Sequence, residues 1–580
     1  MREPHSHGSP VRATDLARRI DQARGLTRAD LVIKGARVFN LVTGELNRSD
    51  IAVCGDTIVG TGEEGYRGVV EIDGRGLVAV PGFIDTHLHP ESTLVLPGEF
   101  ERLLLARGTT TAIADPHEIA NVEGRAGLEY YLDSATALTL DLRINLSSCV
   151  PASALETSGA TLSANDLVSL RDHPQVLGLA EMMNIGGVLA KDPDVLAKLA
   201  AFQELGIDGH APLLRGRDLN AYLACGIRNC HESTSLEEAF EKLSKGMRVL
   251  IRDGSVTRDV VALAPLIDVA HSPFLAFCTD DRTPLHIAED GHIDHLIRTA
   301  IAAGRPPLAV YRAASWAAAA GFGLRDRGLI APGQRADIVL LRDLQRCDVA
   351  RVIQAGRIAD LETLPHPTLP APVGYGSIRR APVTAEIFRA RCAGPSGPVI
   401  GLRRNQILTD ALRLELPYRD GARHADTTLD VAKVAVLERH GRNGNVGVGF
   451  VRGFGLRGGA LASSVGHDAH NIIVVGHDDG DMALAVNRLI DLQGGFVAAQ
   501  AGQLRGELPL PVAGLISDRS AAAVEHDLRA LRLVVNEMGC TLDEPFVQMA
   551  FLPLSVVPHL KITDHGLVDV DRGRVIGLDD

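Results

Sequence analysis

Between residues 80 and about 320, short apolar runs alternate with stretches of helical periodicity, and this alternation constrains the chain more than any other feature. Parallel strands need a crossover between them, usually a helix, so strand–helix repetition predicts a parallel sheet. Eight strand candidates stand at 82–89, 109–115, 143–150, 176–181, 207–210, 227–231, 248–252 and 274–280. Eight such strands in roughly 240 residues match the size of a (β/α)8 barrel.

The flanks read differently. Residues 12–24 suggest a short amphipathic helix. Runs at 31–39, 50–54, 57–60 and 69–73, separated by Gly turns, predict a small β-sandwich domain rather than βαβ units. A turn and strand at 328–341, continued at 352–357, are expected to bring the chain back to it. The organisation is therefore α/β: an N-terminal β-domain at 1–80 completed by about 325–365, a catalytic barrel at 81–324, a Pro-rich linker at 366–400, and a C-terminal α/β domain at 401–580. In that last unit strands are expected near 431–437, 446–452 and 472–475, and helices near 481–491 and 519–537.

Composition removes several classes of function. A net charge of −13 opposes binding to a phosphate backbone, and a 4% aromatic fraction with one Trp leaves little to stack on bases, so no nucleic-acid partner is expected. The eight cysteines are scattered with no CxxC pair; Cys225 and Cys230 read as small buried hydrophobes. The opening residues Met1–Gly8 lack the apolar stretch of a leader, and no window reaches 18 uninterrupted apolar residues. A cytoplasmic protein with no membrane partner is the expectation.

Barrel active sites lie at the C-terminal ends of the strands. The first strand candidate ends Asp85-Thr86-His87-Leu88-His89 and is stopped by Pro90; side chains two apart on a strand share a face, so the two imidazoles stand together. The second gives Asp115, then His117 and Glu118; the fourth gives Glu181; the fifth His210; the sixth His231, then Glu232; the seventh Arg252; the eighth Asp280, then Asp281. Any one of these is more often structural than functional. Together, His87, His89, His210, His231, Glu181 and Asp280 are enough to hold two metal ions with one shared ligand.

The order and spacing of these residues resemble the amidohydrolase superfamily and, within it, the bacterial-type adenine deaminases. The resemblance runs from about residue 30 to the end. It rests on Pro81–Ser92, Asp115-Pro116-His117-Glu118-Ile119-Ala120-Asn121-Val122, Ala180-Glu181-Met182-Met183-Asn184 and Gly209-His210-Ala211-Pro212. Cys278-Thr279-Asp280-Asp281-Arg282-Thr283-Pro284, Gly291-His292-Ile293-Asp294, Ile330–Asp337 and Gly466-His467-Asp468-Ala469-His470-Asn471 complete it. It implies hydrolytic deamination of adenine to hypoxanthine and ammonia, in purine salvage. Two divalent transition-metal ions would serve it, Mn2+ or Fe2+ ahead of Zn2+. His87, His89 and Asp280 would hold one ion and His210 and His231 the other, with Glu181 shared and Asp280 also moving the proton. His117, Glu118, Glu232, Arg252 and Asp281 are candidates for contact with the purine. A homo-oligomer, a dimer, is implied as well.

The chain departs from the family pattern at Ile185-Gly186-Gly187, where an aromatic then Pro-Gly is usual, and at Ala314-Ser315-Trp316-Ala317-Ala318, where Asn-Ala-Ala is usual. Either change is expected to bear on substrate fit. No carboxylated Lys is available on the fourth strand; Glu181 takes that place, which disfavours dihydroorotase and hydantoinase readings. Two rivals stand: a deaminase or cyclic amidohydrolase acting on another heterocycle, and a non-catalytic assembly protein of the same fold. The cluster at 467–471 is read as a turn closed by an Asx hydrogen bond, against the alternatives of a wall over the barrel mouth or a contact between copies.

Overall fold

The computed structural model describes residues 12–580. Residues 1–11, on which the expectation of no leader rests, lie outside the described residues. Helix α1 (Ala13–Ala23) leads into β1 (Ala29–Phe39), β2 (Leu46–Cys54), β3 (Thr57–Gly60), β4 (Gly68–Asp73) and β5 (Val78–Pro81). The barrel strands follow: β6 (Phe83–Leu88), β7 (Thr109–Ala114), β8 (Asp141–Leu146), β9 (Val176–Met182), β10 (Gly206–Gly209), β11 (Asn229–Cys230), β12 (Arg248–Arg252) and β13 (Leu275–Cys278). Beyond them β14 (Ile338–Leu341), β15 (Val349–Gln354) and β16 (Arg357–Ile358) rejoin the first sheet.

That first sheet runs β16-β15-β14-β5-β1-β2-β3, with β4 also paired to β1. Both β4 and β5 lie parallel to β1, against Ala29–Lys34 and Arg37–Val38 in turn, and the register of β1 on β2 shifts between Ile33 and Ala36. Such a bulge bends its strand, so the two arms of the sheet curl onto one core containing Ile33, Val38, Ile51, Ile72, Ile338 and Ile353. Passage from β5 to β6 requires glycine: a Cβ on Gly82 would stand 2.1 Å from Thr110 Oγ1.

In the barrel, β6 to β10 form one parallel ladder and β11 to β13 another. Arg228 N donates to Ile207 O at 3.2 Å across one seam, and Asp280 N donates to His87 O at 3.0 Å across the other. Residues of β6, β7 and β8 are buried throughout, as expected for strands covered on both faces. At the start of β8, buried Asp141 gathers Arg143 at 2.8 Å, Arg335 at 2.6 Å and Arg327, which pins the returning segment to the barrel.

The C-terminal sheet has eight strands in the order 409–415, 396–402, 446–452, 431–437, 472–476, 460–463, 495–500 and 503–509. The stretch expected to be a linker to residue 400 therefore ends in a strand, Ser396–Leu402. Its Pro398 is tolerated because that half pairs on one side only; the parallel partner begins at Ile400. One apolar core runs from the barrel's Leu94, Phe100 and Leu104 to Leu510, Leu531 and Phe546. Ser517 N donates to Leu94 O at 2.8 Å and Thr157 N to Asp564 Oδ1 at 2.9 Å, so the C-terminal unit sits on the C-terminal ends of the barrel strands. Among the described residues no helix is long and apolar enough to cross a membrane.

Candidate active site

Where β6 ends, Pro90 starts a single 3-10 turn, Pro90–Thr93, and leaves His87 and His89 at the barrel mouth with their rings 4.9 Å apart. Opposite them, Asp280 follows β13 in a left-handed conformation (φ 57°). Asp is among the few residues that tolerate it, and the backbone bonds to the 87–89 segment hold it there. His89 Nε2 lies 3.1 Å from Asp280 Oδ1, and His87 Nε2 lies 3.6 Å from the same oxygen.

Glu181, near the end of β9, stands between two groups of histidines and turns one oxygen to each. Oε1 is 3.6 Å from His87 Nε2 and 3.4 Å from His89 Nε2. Oε2 is 2.7 Å from His210 Nδ1 and 3.4 Å from His231 Nε2. His87 and His231 stack face to face at 4.0 Å. The six side chains named from strand ends thus meet in one buried cluster, drawn from β6, β9, β10, β11 and β13.

The donor set suits a divalent ion. His87 Nε2, His210 Nε2 and His231 Nδ1 are buried and have no hydrogen-bond partner among the described residues. Gaps of 3.4 to 3.6 Å around Glu181 Oε1 and His231 Nε2 are too long for good hydrogen bonds. They match atoms that share one ion, since bonds of about 2.1 Å set neighbouring ligands roughly 3 to 3.5 Å apart. Three-residue groups compact enough for an ion include His87, His89 and Asp280; His87, Glu181 and His231; and His210, His231 and Glu232. The 2.7 Å contact of His210 Nδ1 is by contrast a hydrogen bond.

Charge is balanced locally. Burial raises the carboxyl of Glu181, but His231 and His210 outweigh it and hold the group well below the usual range. Asp280 is likewise held low, against burial, by His87, His89 and Arg252. Burial and the neighbouring His87 push His231 down to about 4, leaving it neutral and able to offer a lone pair.

The other sequence candidates fall into two places. Arg252, fully buried at the end of β12, pairs through Nη2 with Glu232 Oε2 at 3.1 Å and through Nη1 with Asp280 Oδ2 at 2.8 Å. Glu232 Oε1 in turn lies 3.5 Å from His231 Nε2. Above the cluster, Ser92 Oγ bridges Glu118 Oε1 and Asp281 Oδ1. His117 turns Nδ1 to Asp115 Oδ2 at 3.1 Å and to Glu181 Oε1 at 3.6 Å, closer to the cluster than a rim position would be.

The C-terminal unit contributes more than the simple turn preferred from the sequence at 467–471, and matches the alternative of a wall. The 467–471 segment is a wall over the barrel mouth: Asp468 Oδ1 lies 3.6 Å from His117 Nε2, and His467 Nδ1 lies 3.5 Å from Glu118 Oε1. The cavity over the cluster is closed by Met183, Ile407, Phe551 and Leu554, three of which come from beyond residue 400. Their only sequence signal was family likeness around Gly466–Asn471. Neither 185–187 nor 314–318, the segments that depart from the family pattern, lines this cavity.

Residues 78–359 match the amidohydrolase family, and residues 406–574 match the adenine deaminase C-terminal domain. An adenine deaminase of Methylobacterium nodulans is 59% identical over 97% of this chain and 100% of its own length. One from Methylobacterium sp. (strain 4-46) is 60% identical over 97% and 99%, and one from Gluconobacter oxydans is 58% identical over 96% and 98%. The chain belongs to the adenine deaminase family of amidohydrolases.

Proposed function

We propose that this chain hydrolyses adenine to hypoxanthine and ammonia at the cluster centred on Glu181. The observation that carries the chemistry is the division of Glu181, with Oε1 facing His87 and His89 and Oε2 facing His210 and His231. Adenine as substrate follows from relatives named adenine deaminase that are similar along nearly the whole chain.

His87, His89 and Asp280 would hold one divalent ion and His210 and His231 a second, with Glu181 shared between them. The set has no thiolate and suits Mn2+ or Fe2+, with Zn2+ also accommodated. What such an ion supplies is Lewis acidity, which brings the pKa of water from ~15.7 towards ~7 and makes a nucleophile available at neutral pH.

The chain's own groups do the rest. Asp280 has one oxygen among the histidines and the other fixed by Arg252, so its carboxylate is aimed and ionised. It takes one proton from the attacking water as C6–O forms and delivers it to ring N1; the remaining proton on that oxygen then passes through the same carboxylate to N6 as the C6–N6 bond breaks, leaving hypoxanthine and ammonia. Met183, Ile407, Phe551 and Leu554 close over the flat ring and exclude bulk water. Glu232 and Asp281 line the cavity wall and are the acceptors this scheme assigns to ring N–H groups. Arg252 is a positioning residue in this scheme, since its donors are engaged by carboxylates.

The test is ammonia release from adenine, guanine, cytosine and hydantoins by the metal-loaded enzyme, alongside His87→Ala and Glu181→Ala. Activity on adenine alone, lost together with bound metal in both variants, is expected. Full deamination by either variant would remove the assignment.

A further inference from the structure

We propose that His117, Glu118, His467 and Asp468 form an additional cation site, for a first-row divalent transition metal, at the seam between the barrel and the C-terminal unit. Two of these residues open the short helix His117–Glu123 after β7, and two lie in the turn between the strands Ala460–Ser463 and Ile472–Gly476. Neither pair makes a site alone; folding brings them together across some 350 residues of sequence.

Ligand atoms of His117, Glu118 and His467 lie within 4.8 Å of one another, and Asp468 links two of these residues. His117 Nε2 is 3.6 Å from Asp468 Oδ1, that oxygen is 3.7 Å from His467 Nδ1, and this nitrogen is 3.5 Å from Glu118 Oε1. These gaps are at or beyond hydrogen-bond length and narrow enough for one ion to draw the atoms together. All four residues are buried. Among the described residues His117 Nε2 and Asp468 Oδ2 have no hydrogen-bond partner.

Charge points the same way. Glu118 shares its surroundings with two more buried carboxylates, Glu91 and Asp281. Among the described residues no Lys or Arg makes an ion pair with Glu91, Glu118, Asp281 or Asp468; histidines are the only bases in reach. Buried carboxylates gathered in this way need protons or a cation, and two imidazoles with two carboxylates and no thiolate suit Mn2+, Fe2+ or Zn2+.

The site is distinct from the cluster around Glu181. His117 stands between the two, its Nδ1 facing Asp115 and Glu181 and its Nε2 facing Asp468. An ion held here would tie the cover formed by the C-terminal unit to the barrel mouth. The inference does not depend on which heterocycle is deaminated, and its test does not use turnover.

The full-length protein is stripped with a chelator, reloaded with excess MnCl2 or ZnCl2, desalted, and analysed for metal. About three equivalents per chain are expected in the wild type and about two in His467→Ala and Asp468→Asn. Fewer than three in the wild type, or three retained in both variants, overturns the proposal. Should the variants misfold, a wild-type crystal soaked in MnCl2 decides by anomalous scattering. A peak among these four side chains is expected; peaks at the Glu181 cluster with none here overturn it.

Discussion

Arg252 Nη1 donates to Asp280 Oδ2 at 2.8 Å while Asp280 Oδ1 faces His89 Nε2 at 3.1 Å, so one buried guanidinium fixes the rotation of the carboxylate proposed to move the proton. The same guanidinium grips Glu232, which stands beside His231. A lysine retains the charge but not the planar fork that holds two carboxylates at once. Arg252→Lys is therefore expected to lower kcat by about 100-fold through misplacement of Asp280, with metal content unchanged. Steady-state kinetics with metal analysis checks this. Arg252→Met leaves the carboxylates uncompensated in the interior and should cost about 3 to 5 kcal/mol of stability.

Beneath the cluster, Asp85 ties the strand carrying His87 to the segment carrying Asp280. It accepts from Thr279 Oγ1 at 2.6 Å, Thr279 N at 3.2 Å and His87 N at 3.3 Å, and His292 Nε2 lies 3.3 Å away. Removing these acceptors loosens two of the side chains proposed to bind metal. Asp85→Ala is expected to weaken metal affinity about 10- to 100-fold, whereas Asp85→Asn, which keeps one acceptor oxygen, should lose less. Competition with a metal-sensitive chelator dye measures both.

What the sequence made legible follows from physics of two kinds. Parallel barrel strands are buried on both faces, so β9, β12 and β13 appear as largely apolar runs, and the strand–helix alternation between them places the remaining strands. Strand ends then delivered His87, His89, Glu181, His210, His231 and Asp280 to one end of the barrel. The strand at 409–415 also carries a signal: its even positions, Asp410, Leu412 and Leu414, turn inward while Ala411, Arg413 and Glu415 are exposed. It was hidden by its position after a Pro-rich stretch. Nothing local could announce that His467, Asp468 and Phe551 lie over His117. That contact depends on how two packed units meet, and no periodicity within either one encodes it.

The cover makes its own prediction. Phe551 stacks on His467 with ring centroids 5.2 Å apart and planes at 13°, and it forms part of the cavity wall. Phe551→Ala opens that wall without touching any carboxylate or histidine of the Glu181 cluster. KM for adenine is expected to rise about tenfold or more with a smaller change in kcat, because the loss is mainly of contact with the ring. The truncation should also cost about 3 to 5 kcal/mol of stability, as for other buried aromatic residues. A KM unchanged from wild type would remove Phe551 from the substrate wall.

The same wall is braced by a buried lysine whose titration gives a pH signature. Lys561 Nζ donates to Ile407 O at 2.6 Å and Phe551 O at 2.9 Å, setting two of the wall residues. Burial lowers its pKa to about 7, with Glu232 pulling weakly the other way. In the unfolded chain a lysine titrates near ~10.4. Below about pH 7 both states hold the proton and there is no slope; between about 7 and 10.4 the unfolded chain binds one more proton than the folded one. Stability from this group therefore increases with pH across that window, by up to about 1.4 kcal/mol per pH unit, and levels off above it. Lys561→Met should be less stable overall, since two buried carbonyls lose their donor, but it should lack that rise. Urea midpoints of wild type and variant at several pH values from 7 to 10 make the comparison, and parallel curves would place the proton elsewhere.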